Sequence, residues 1–255
     1  MENLSQKVST GIIWATLARI VSRLFNLISS LILTSLLLPV DFGLMAIVSS
    51  IIYFSQGSTE TGMLSALTQR KGDIKKFLDT AWTIEFIKNL FLFGLIFIFA
   101  PSISNYFNEP DILGMIRVIA ILFLLSGITN IKIVYFRREL DLKKQFIFDV
   151  FPTFINIVCT ISLAFILRSA WALVIGVIIQ KAFSCILSFI FYPSMPKLRF
   201  SRYETWELID FGRWIFINSL IVNIKKQGIV FFIAKLFSVN LLGYYNRALV
   251  FSQYF

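Results

Sequence analysis

The 255-residue chain has no histidine, two cysteines, six prolines and only 14 acidic residues. Without histidine there is no imidazole general acid or base, no histidine-containing triad and no histidine metal ligand. The two thiols, Cys159 and Cys185, both fall inside long apolar runs. They read as packed side chains, not as a disulfide. No small-residue cleavage site follows the N-terminal apolar run, which is too long for a signal peptide and is expected to remain as a span. No catalytic group, metal site or cofactor is expected.

What is present is apolar. Hydrophobic residues make up 57% of the chain, and Lys plus Arg outnumber Asp plus Glu by 24 to 14. A soluble domain of this size cannot hide that much apolar surface. Runs of about 20 apolar residues, each long enough to cross about 30 Å of hydrocarbon, place it in a bilayer. The runs lie near 12–36, 43–66, 78–100, 112–135, 146–168, 171–192 and 214–234, and another begins at about 242. Such segments are helical, because lipid offers backbone N–H and C=O groups no other partner. The expected class is an all-α polytopic membrane protein with seven complete spans and the start of an eighth. About 14 residues at 1.5 Å each fall short of a crossing, so the chain is expected to be part of a longer protein.

The loop charges alternate. Thirteen basic residues lie in one set of loops, including Arg70, Lys71, Arg137, Arg138, Lys143 and Lys144, while the opposite loops hold only Arg168 and Lys235. This bias predicts a cytoplasmic N-terminus. The outer loops, Pro39 to Phe42, about 101–111 and Arg168 to Ala170, are too short for an extramembrane domain. The longest connection on the basic side, Pro193 to Arg213, contains SRYETWELIDFGRW and reads as a short surface amphipathic helix. The +10 net charge does not imply nucleic acid, since topology and anionic lipid account for the loop cations.

The first span leads into LLLPVDFGL (Leu36 to Leu44), and 200 residues later the seventh leads into LFSVNLLGYY (Leu236 to Tyr245), aligning Gly43 with Gly243. Six spans separate the copies, so both have one orientation. This is the pattern of a parallel repeat of six-helix units. It divides the chain into residues 1–210, one lobe with its linker, and 211–255, the beginning of a second.

Several spans carry polar stripes. In the first, Thr16, Arg19, Arg23, Asn26 and Ser30 recur every three or four residues and share a helical face. A lipid-facing arginine at this depth is costly, so the stripe reads either as the lining of a wet cavity or as a structural partner for Glu60 or Glu85. At the repeat offset it meets Asn223 and Lys226. The fifth span carries Asp149, Thr153, Asn156 and Thr160 beside Pro152, a kink point. The sixth holds Gln180, Lys181, Ser184 and Ser188. The third holds Glu85, Lys88 and Asn89, and the second is interrupted by QGSTETG with Glu60. Glu85 and Lys88, three apart, can neutralise each other. Lys132, Lys181 and Arg247 read as snorkelling toward the basic side, and the Ser and Thr positions as interhelical hydrogen bonds. The candidate cavity residues are Arg19, Arg23, Asn26, Lys88, Asn223 and Lys226; the candidate ion-coupling residues are Glu60, Glu85 and Asp149. A cavity leaning basic favours an anion, and arginine suits phosphate. A carrier of cationic drugs would show the opposite balance.

Four strings resemble those of a known family: LLLPVDFGL after the first span, GMLSALTQRK (Gly62 to Lys71), YFRREL (Tyr135 to Leu140) and LLGYYNRA (Leu241 to Ala248). In order and position the chain resembles bacterial polysaccharide biosynthesis proteins, the O-antigen and exopolysaccharide flippases of the multidrug/oligosaccharidyl-lipid/polysaccharide exporter superfamily, closest to the colanic-acid-type export subgroup. The resemblance implies two lobes totalling 12 to 14 spans in the bacterial inner membrane, with a central cavity opening alternately to each side. The implied cargo is an undecaprenyl-diphosphate-linked oligosaccharide, and the implied partners are membrane lipid, a polysaccharide polymerase and other assembly proteins. Related peptidoglycan-precursor flippases use arginines in the first span, where Arg19 and Arg23 stand here. Alternatives within the superfamily are a multidrug or peptidoglycan-precursor exporter. A membrane polymerase or ligase would need a sizeable outer loop, which this chain lacks.

Overall fold

A computed structural model describes residues 4–60, 62–70 and 72–252, with side chains from residue 11 onward apart from those of 208 and 211. Thr61, Lys71 and the side chain of Lys7, which entered the loop readings, lie outside the described residues. Among the described residues every regular element is helical. The helices are α1 (Leu4–Leu36), α2 (Pro39–Gly57), α3 (Met63–Gln69), α4 (Lys75–Phe107), α5 (Asp111–Ile119), α6 (Ile121–Ile128), α7 (Val134–Arg138), α8 (Leu142–Leu167), α9 (Trp171–Phe191), α10 (Arg202–Leu236) and α11 (Val239–Ser252). A 3-10 turn, Ile131–Ile133, precedes α7. Seven segments are long and apolar enough to cross a membrane: most of α1, then α2, α4, α5 with α6, α8, α9, and α10 from Gly212.

The element ends follow from local chemistry, and several differ from the run boundaries. The second run was expected over 43–66. Instead α2 begins at Pro39, whose missing N–H suits the first helical turn, and stops at Gly57. Gly62, at φ +63°, then turns the chain into the short α3, with Ile215 and Gly212 packed where a side chain would stand. The fourth run was expected to reach 135, but α6 ends at Ile128 and the chain re-forms as the 3-10 turn and α7. Asn130 drives that break. It is fully buried, its N–H donates to Ser188 Oγ at 3.0 Å, and its Nδ2 donates to the carbonyls of Tyr192 and Ser194 at 2.9 and 3.0 Å. The separate amphipathic helix expected over 201–214 is instead the start of α10, which runs 35 residues from the Ser201 cap without a proline. On the other side α4 continues through Pro101 to Phe107, where the expectation was a loop.

Packing divides into three regions. The main core lies between α2, α4, α5, α6, α9 and the ends of α10 and α11, around Ile47, Val48, Phe123, Ile116 and Leu242. A second cluster at the basic side joins α3 to α4 through Met63, Leu67 and Leu78. A third, at the opposite side, includes Leu33, Leu37, Ala164 and Ala172. Asp41 binds that side together: its carboxylate accepts the N–H of Leu38 at 2.9 Å and that of Ala170 at 2.8 Å. Outward faces are apolar, as at Ile12, Ile98 and Ile166, and suit lipid. Small residues then govern how near helices come.

The 200-residue offset is visible in the backbone. Helix α1 ends at Leu36 and α10 at Leu236; α2 begins at Pro39 and α11 at Val239. The two later helices cross α2, with a reciprocal contact. A Cβ on Gly43 would stand 2.1 Å from the carbonyl oxygen of Val239, and one on Gly243 would stand 1.9 Å from that of Pro39. Each glycine thus meets the residue four positions before its own counterpart, as across a local two-fold axis. Arg247 closes the junction by donating to the Leu37 carbonyl at 2.9 Å, with its guanidinium over the Phe42 ring. It therefore points to the side opposite the basic loops, against the expectation of snorkelling toward them, because the α1–α2 turn offers a carbonyl and a ring within reach.

Candidate functional site

The polar stripes do not converge on one point; they form three groups. The first is a chamber walled by α2, α4, α6 and α9. It consists of two adjoining cavities of about 310 and 260 Å³ that share Gln56, Ser126 and Lys181. Glu60, Glu85 and Lys88 line the larger cavity with Trp82, and Tyr53, Gln180 and Ser184 line the smaller. Glu85 and Lys88 form an ion pair one helical turn apart, the neutralising arrangement their spacing predicts. Asn89 Nδ2 donates to the Glu85 carbonyl at 2.8 Å and to its Oε2 at 3.4 Å, holding the pair against α4. The Glu60 carboxylate accepts the N–H of Gly62 at 3.3 Å, which places it at the α2–α3 turn.

Lys181 was expected to snorkel. It sits instead midway along α9 and lines both cavities. A lysine has to stretch along its own helix to reach an interface, and a wet cavity beside it removes the need. Its neighbour Gln180 belongs to a ladder between α8 and α9. Asn156 Nδ2 donates to Gln180 Oε1 at 3.0 Å, Gln180 Nε2 donates to Thr153 Oγ1 at 3.2 Å, and Thr160 Oγ1 donates to Asn156 Oδ1 at 2.8 Å. The α8 stripe from Thr153 to Thr160 is therefore spent on helix pairing, but of its two threonines only Thr153 bonds across to α9, while the Thr160 hydroxyl bonds within α8, against the interhelical reading. Gly176 makes this possible, since any Cβ there would overlap Thr160 and Asn156.

The second group lies on α1. Trp14 and Phe25 pack on Phe146 and Phe154 of α8, at ring-centroid distances of 5.2 and 5.7 Å. Arg19, Arg23 and Asn26 are exposed. Among the described residues neither arginine forms an ion pair, so the pairing with Glu60 or Glu85 does not occur. The third group is on α10. The side chain of Asn223 lies against Gly57 of α2 and donates to the Ser219 carbonyl at 2.8 Å, while Lys226 is exposed. Asp149 stands apart from all three, beside Arg137 and Gln145 in a small cavity of about 50 Å³ at the basic end of α8. The described residues hold no cluster of three or more acidic or cysteine side chains fit for a metal ion.

At the basic side the first turns of α10 are fastened to α4 and to the end of α3. Thr80 donates to the buried Glu204 carboxylate, which also pairs with Arg199 at 3.4 Å. Arg70 pairs with Glu207 and lies over the Phe77 ring at 3.7 Å. The guanidinium of Arg138, from the YFRREL string, donates to the Leu67 and Arg70 carbonyls at 3.0 and 2.8 Å, and so caps α3. These strings are structural joints.

Comparison with known proteins gives the family. The model of the polysaccharide biosynthesis protein family matches residues 32–255. The chain is 20% identical to the lipopolysaccharide biosynthesis protein WzxC of Escherichia coli K12, over 96% of this chain and 50% of that protein. It is 19% identical to the teichuronic acid biosynthesis protein TuaB of Bacillus subtilis 168, over 97% of this chain and 52% of the relative. An uncharacterized membrane protein in the cps region of Klebsiella pneumoniae is also 19% identical, over 91% and 49%. The chain spans about half the length of the curated relatives it matches. No solved structure matches it.

Proposed function

The chain belongs to the polysaccharide biosynthesis protein family, and on that premise we propose that it takes part in flipping a lipid-linked oligosaccharide across the bacterial cytoplasmic membrane. The cargo is an undecaprenyl-diphosphate-linked repeat unit, handed from the cytoplasmic to the outer leaflet for assembly into surface polysaccharide. The observation that supports this reading is the α1 stripe. Two guanidinium groups and a carboxamide, Arg19, Arg23 and Asn26, stand exposed on a spanning helix. Cations in mid-membrane call for an aqueous or anionic surrounding. A diphosphate provides both charge and geometry for arginine, which can offer two parallel donors where lysine offers a point charge.

In this reading the diphosphate rides on Arg19 and Arg23, with Lys226 facing it from the second repeat, and the polyprenyl tail stays in lipid. The sugars occupy the wet interior. Two lobes related by the 200-residue repeat rock about the junction of α2 and α11, which opens the cavity to one leaflet at a time. The N-terminus lies in the cytoplasm by the bias of the basic loops.

The test is a strain deleted for the full-length gene, with lipid-linked oligosaccharide quantified on each membrane face beside surface polymer. The expected result is accumulation on the cytoplasmic face and loss of polymer. Complementation with Arg23→Ala should fail, and Arg23→Lys should restore part of the export. Unchanged lipid-linked pools with intact polymer would remove this function and favour another cargo, such as a drug. Full export by a well-expressed Arg23→Ala protein would remove the arginine's role.

A further inference from the structure

Two of the strings that resemble the family, GMLSALTQRK and YFRREL, meet at the basic end of α10, and that end is held differently from the other. At the opposite end the grip is close packing. Phe231 lies on the rings of Phe54 and Phe107 at 5.8 and 6.0 Å, and Ala234 is buried in the main core. Just beyond, the Gly43 and Gly243 contacts put backbone against backbone. At the basic end, among the described residues, α10 contributes nothing to the apolar cluster of α3 and α4.

What holds the basic end is polar. From Lys197 to Glu207 the one buried residue is Glu204. Leu198, Phe200, Tyr203 and Trp206 are 63 to 75% exposed. Asp79, Thr80 and Thr83, on one face of α4, take the segment by its polar groups instead. Asp79 Oδ1 accepts the Lys197 N–H at 3.1 Å, Thr83 Oγ1 accepts the Arg199 N–H at 3.0 Å, and Thr80 donates to Glu204. Arg70 pairs with Glu207, both side chains being partly exposed. Arg138 donates to the Leu67, Arg70 and Gly72 carbonyls and so fixes the end of α3 from which Arg70 reaches out. Where α10 touches the α2–α3 turn, Gly212 and Ile215 lie on Gly62, a smooth contact that can part.

This joint is the easier of the two to open. Polar groups released into water exchange protein partners for water, and a partly exposed ion pair adds little net stability. Glu207 goes further: its Oε2 is buried and has no hydrogen-bond partner among the described residues. A buried carboxylate oxygen without a donor is destabilising, and hydration on opening relieves it. Close-packed backbone has no comparable substitute. A helix pinned at one end swings at the other. From Tyr203 to Ile233 α10 is about 45 Å long, so a tilt of about 10° carries its basic tip about 8 Å.

We propose that residues 197–207 form a strap that releases and closes in the transport cycle, locked by Arg70 on Glu207 and Thr80 on Glu204, with Arg138 as the positioning residue for Arg70 and the opposite end of α10 as the hinge. The proposal rests on the flippase reading for what passes when the strap is open. It gives the two strings one shared task, to shut the mouth between α10 and the basic ends of α3 and α4.

The experiment uses the full-length protein in lipid nanodiscs, its native cysteines replaced by alanine, with spin labels and double electron–electron resonance. One pair is set at the basic side on Lys75→Cys and Tyr203→Cys, the other at the opposite side on Asn108→Cys and Phe237→Cys, all at exposed positions. Glu207→Gln should move most of the basic-side pair to a population about 8 Å longer and leave the opposite pair within about 2 Å. Thr80→Val, which acts at Glu204, should do the same, and the unmoved opposite pair reports in each variant that the fold is kept. Arg70→Glu should open the strap, and adding Glu207→Arg should close it again. Arg138→Ala should lengthen the distance by itself and add nothing to Glu207→Gln, where a merely structural loss would add. In cells, bridging the basic-side cysteines with a membrane-permeant bis-maleimide of the closed length should abolish surface polymer, while either cysteine modified alone leaves it. An unchanged basic-side distance in both Glu207→Gln and Thr80→Val, or an opposite pair that moves as far, overturns the strap, and so does full export with the basic-side pair bridged. Opening in both variants, in a protein whose deletion leaves lipid-linked oligosaccharide pools unchanged, upholds the strap and overturns the flippase reading alone. Accumulation of those pools on deletion, with no opening in either variant, does the reverse.

Discussion

Asn130 has no exposed surface, and its backbone N–H and side chain together make four hydrogen bonds, three of them to α9 and the chain beyond it. Its fourth is accepted by Oδ1 from the Lys132 N–H at 3.0 Å, which starts the 3-10 turn. One side chain thereby ends α6, ends α9 and redirects the chain toward α7. Replacing it with alanine keeps the backbone N–H on Ser188 but leaves the Tyr192 and Ser194 carbonyls and the Lys132 N–H without this side chain, at about 1 kcal/mol for each lost bond. Asn130→Ala should cost about 2–4 kcal/mol and lower the melting temperature of the detergent-solubilised protein by roughly 5–15 °C. A shift below about 2 °C would show that water replaces the side chain. The same residue marks a limit of legibility. In the sequence Asn130 is one polar residue at the end of an apolar run, and the acceptors that define it lie about 60 positions away.

At the scale of elements, two close helix contacts differ in what could relieve them. On α9, a Cβ at Gly176 would stand 1.8 Å from Thr160 Oγ1 and 2.6 Å from Asn156 Oδ1, both side-chain atoms. On α2, a Cβ at Gly43 would stand 2.1 Å from a backbone oxygen. Side chains rotate or can be trimmed, whereas a carbonyl in a helix moves only with its helix. Overpacking of this kind is worth about 1–3 kcal/mol. Gly176→Ala should therefore destabilise by that amount, and adding Thr160→Ala should recover a good part of it in a double-mutant cycle. Gly43→Ala should destabilise at least as much, and trimming Val239 to alanine should recover little, since its carbonyl stays. Equal rescue at both sites would place the contact at Gly43 on side chains. The pairing of Gly43 with Gly243 is readable in the sequence as an echo at a fixed offset. That the two glycines pack reciprocally is not, because similarity between segments carries no information about which touch. Helix ends were legible at the short turn before α9, expected at 171 and found at Trp171, but not at Pro39, where α2 begins four residues before the expected 43. Nor were they where tertiary partners decide, as in the start of α10 at Arg202 or the run of α4 past Pro101.

At the scale of the whole molecule the spans are the most legible feature, because the bilayer imposes helix, length and apolarity together. The candidate site is less so. Amphipathic spacing shows that α1, α8 and α9 each have a polar face, but a face can be spent on a neighbouring helix or left for a ligand, and both occur. The α8 stripe closes a ladder with Gln180, the α1 stripe is left exposed, and Lys181 belongs to a chamber that needs four helices to exist. Charge alternation carries a further claim that applies only to the assembled protein in its membrane. Gly72, between α3 and α4, lies among the basic loops, and Asn108, after α4, lies on the other side of the same long helix. Both are exposed, and no atom stands near the space a Gly72 side chain would fill. Its φ of +88° makes any side chain there mildly strained, and Asn108 at φ +56° is already left-handed, so each tolerates a cysteine at modest cost. Set in a background with Cys159 and Cys185 replaced by alanine, Gly72→Cys should react with an impermeant maleimide only in inside-out vesicles. Asn108→Cys should react only from outside intact spheroplasts. The reverse pattern would invert the orientation and put the α1 arginines and the basic linker on the wrong sides for the proposed direction of transfer. Labelling of both cysteines from one side would mean that α4, though long and apolar enough to cross, does not do so, and would overturn the span assignment.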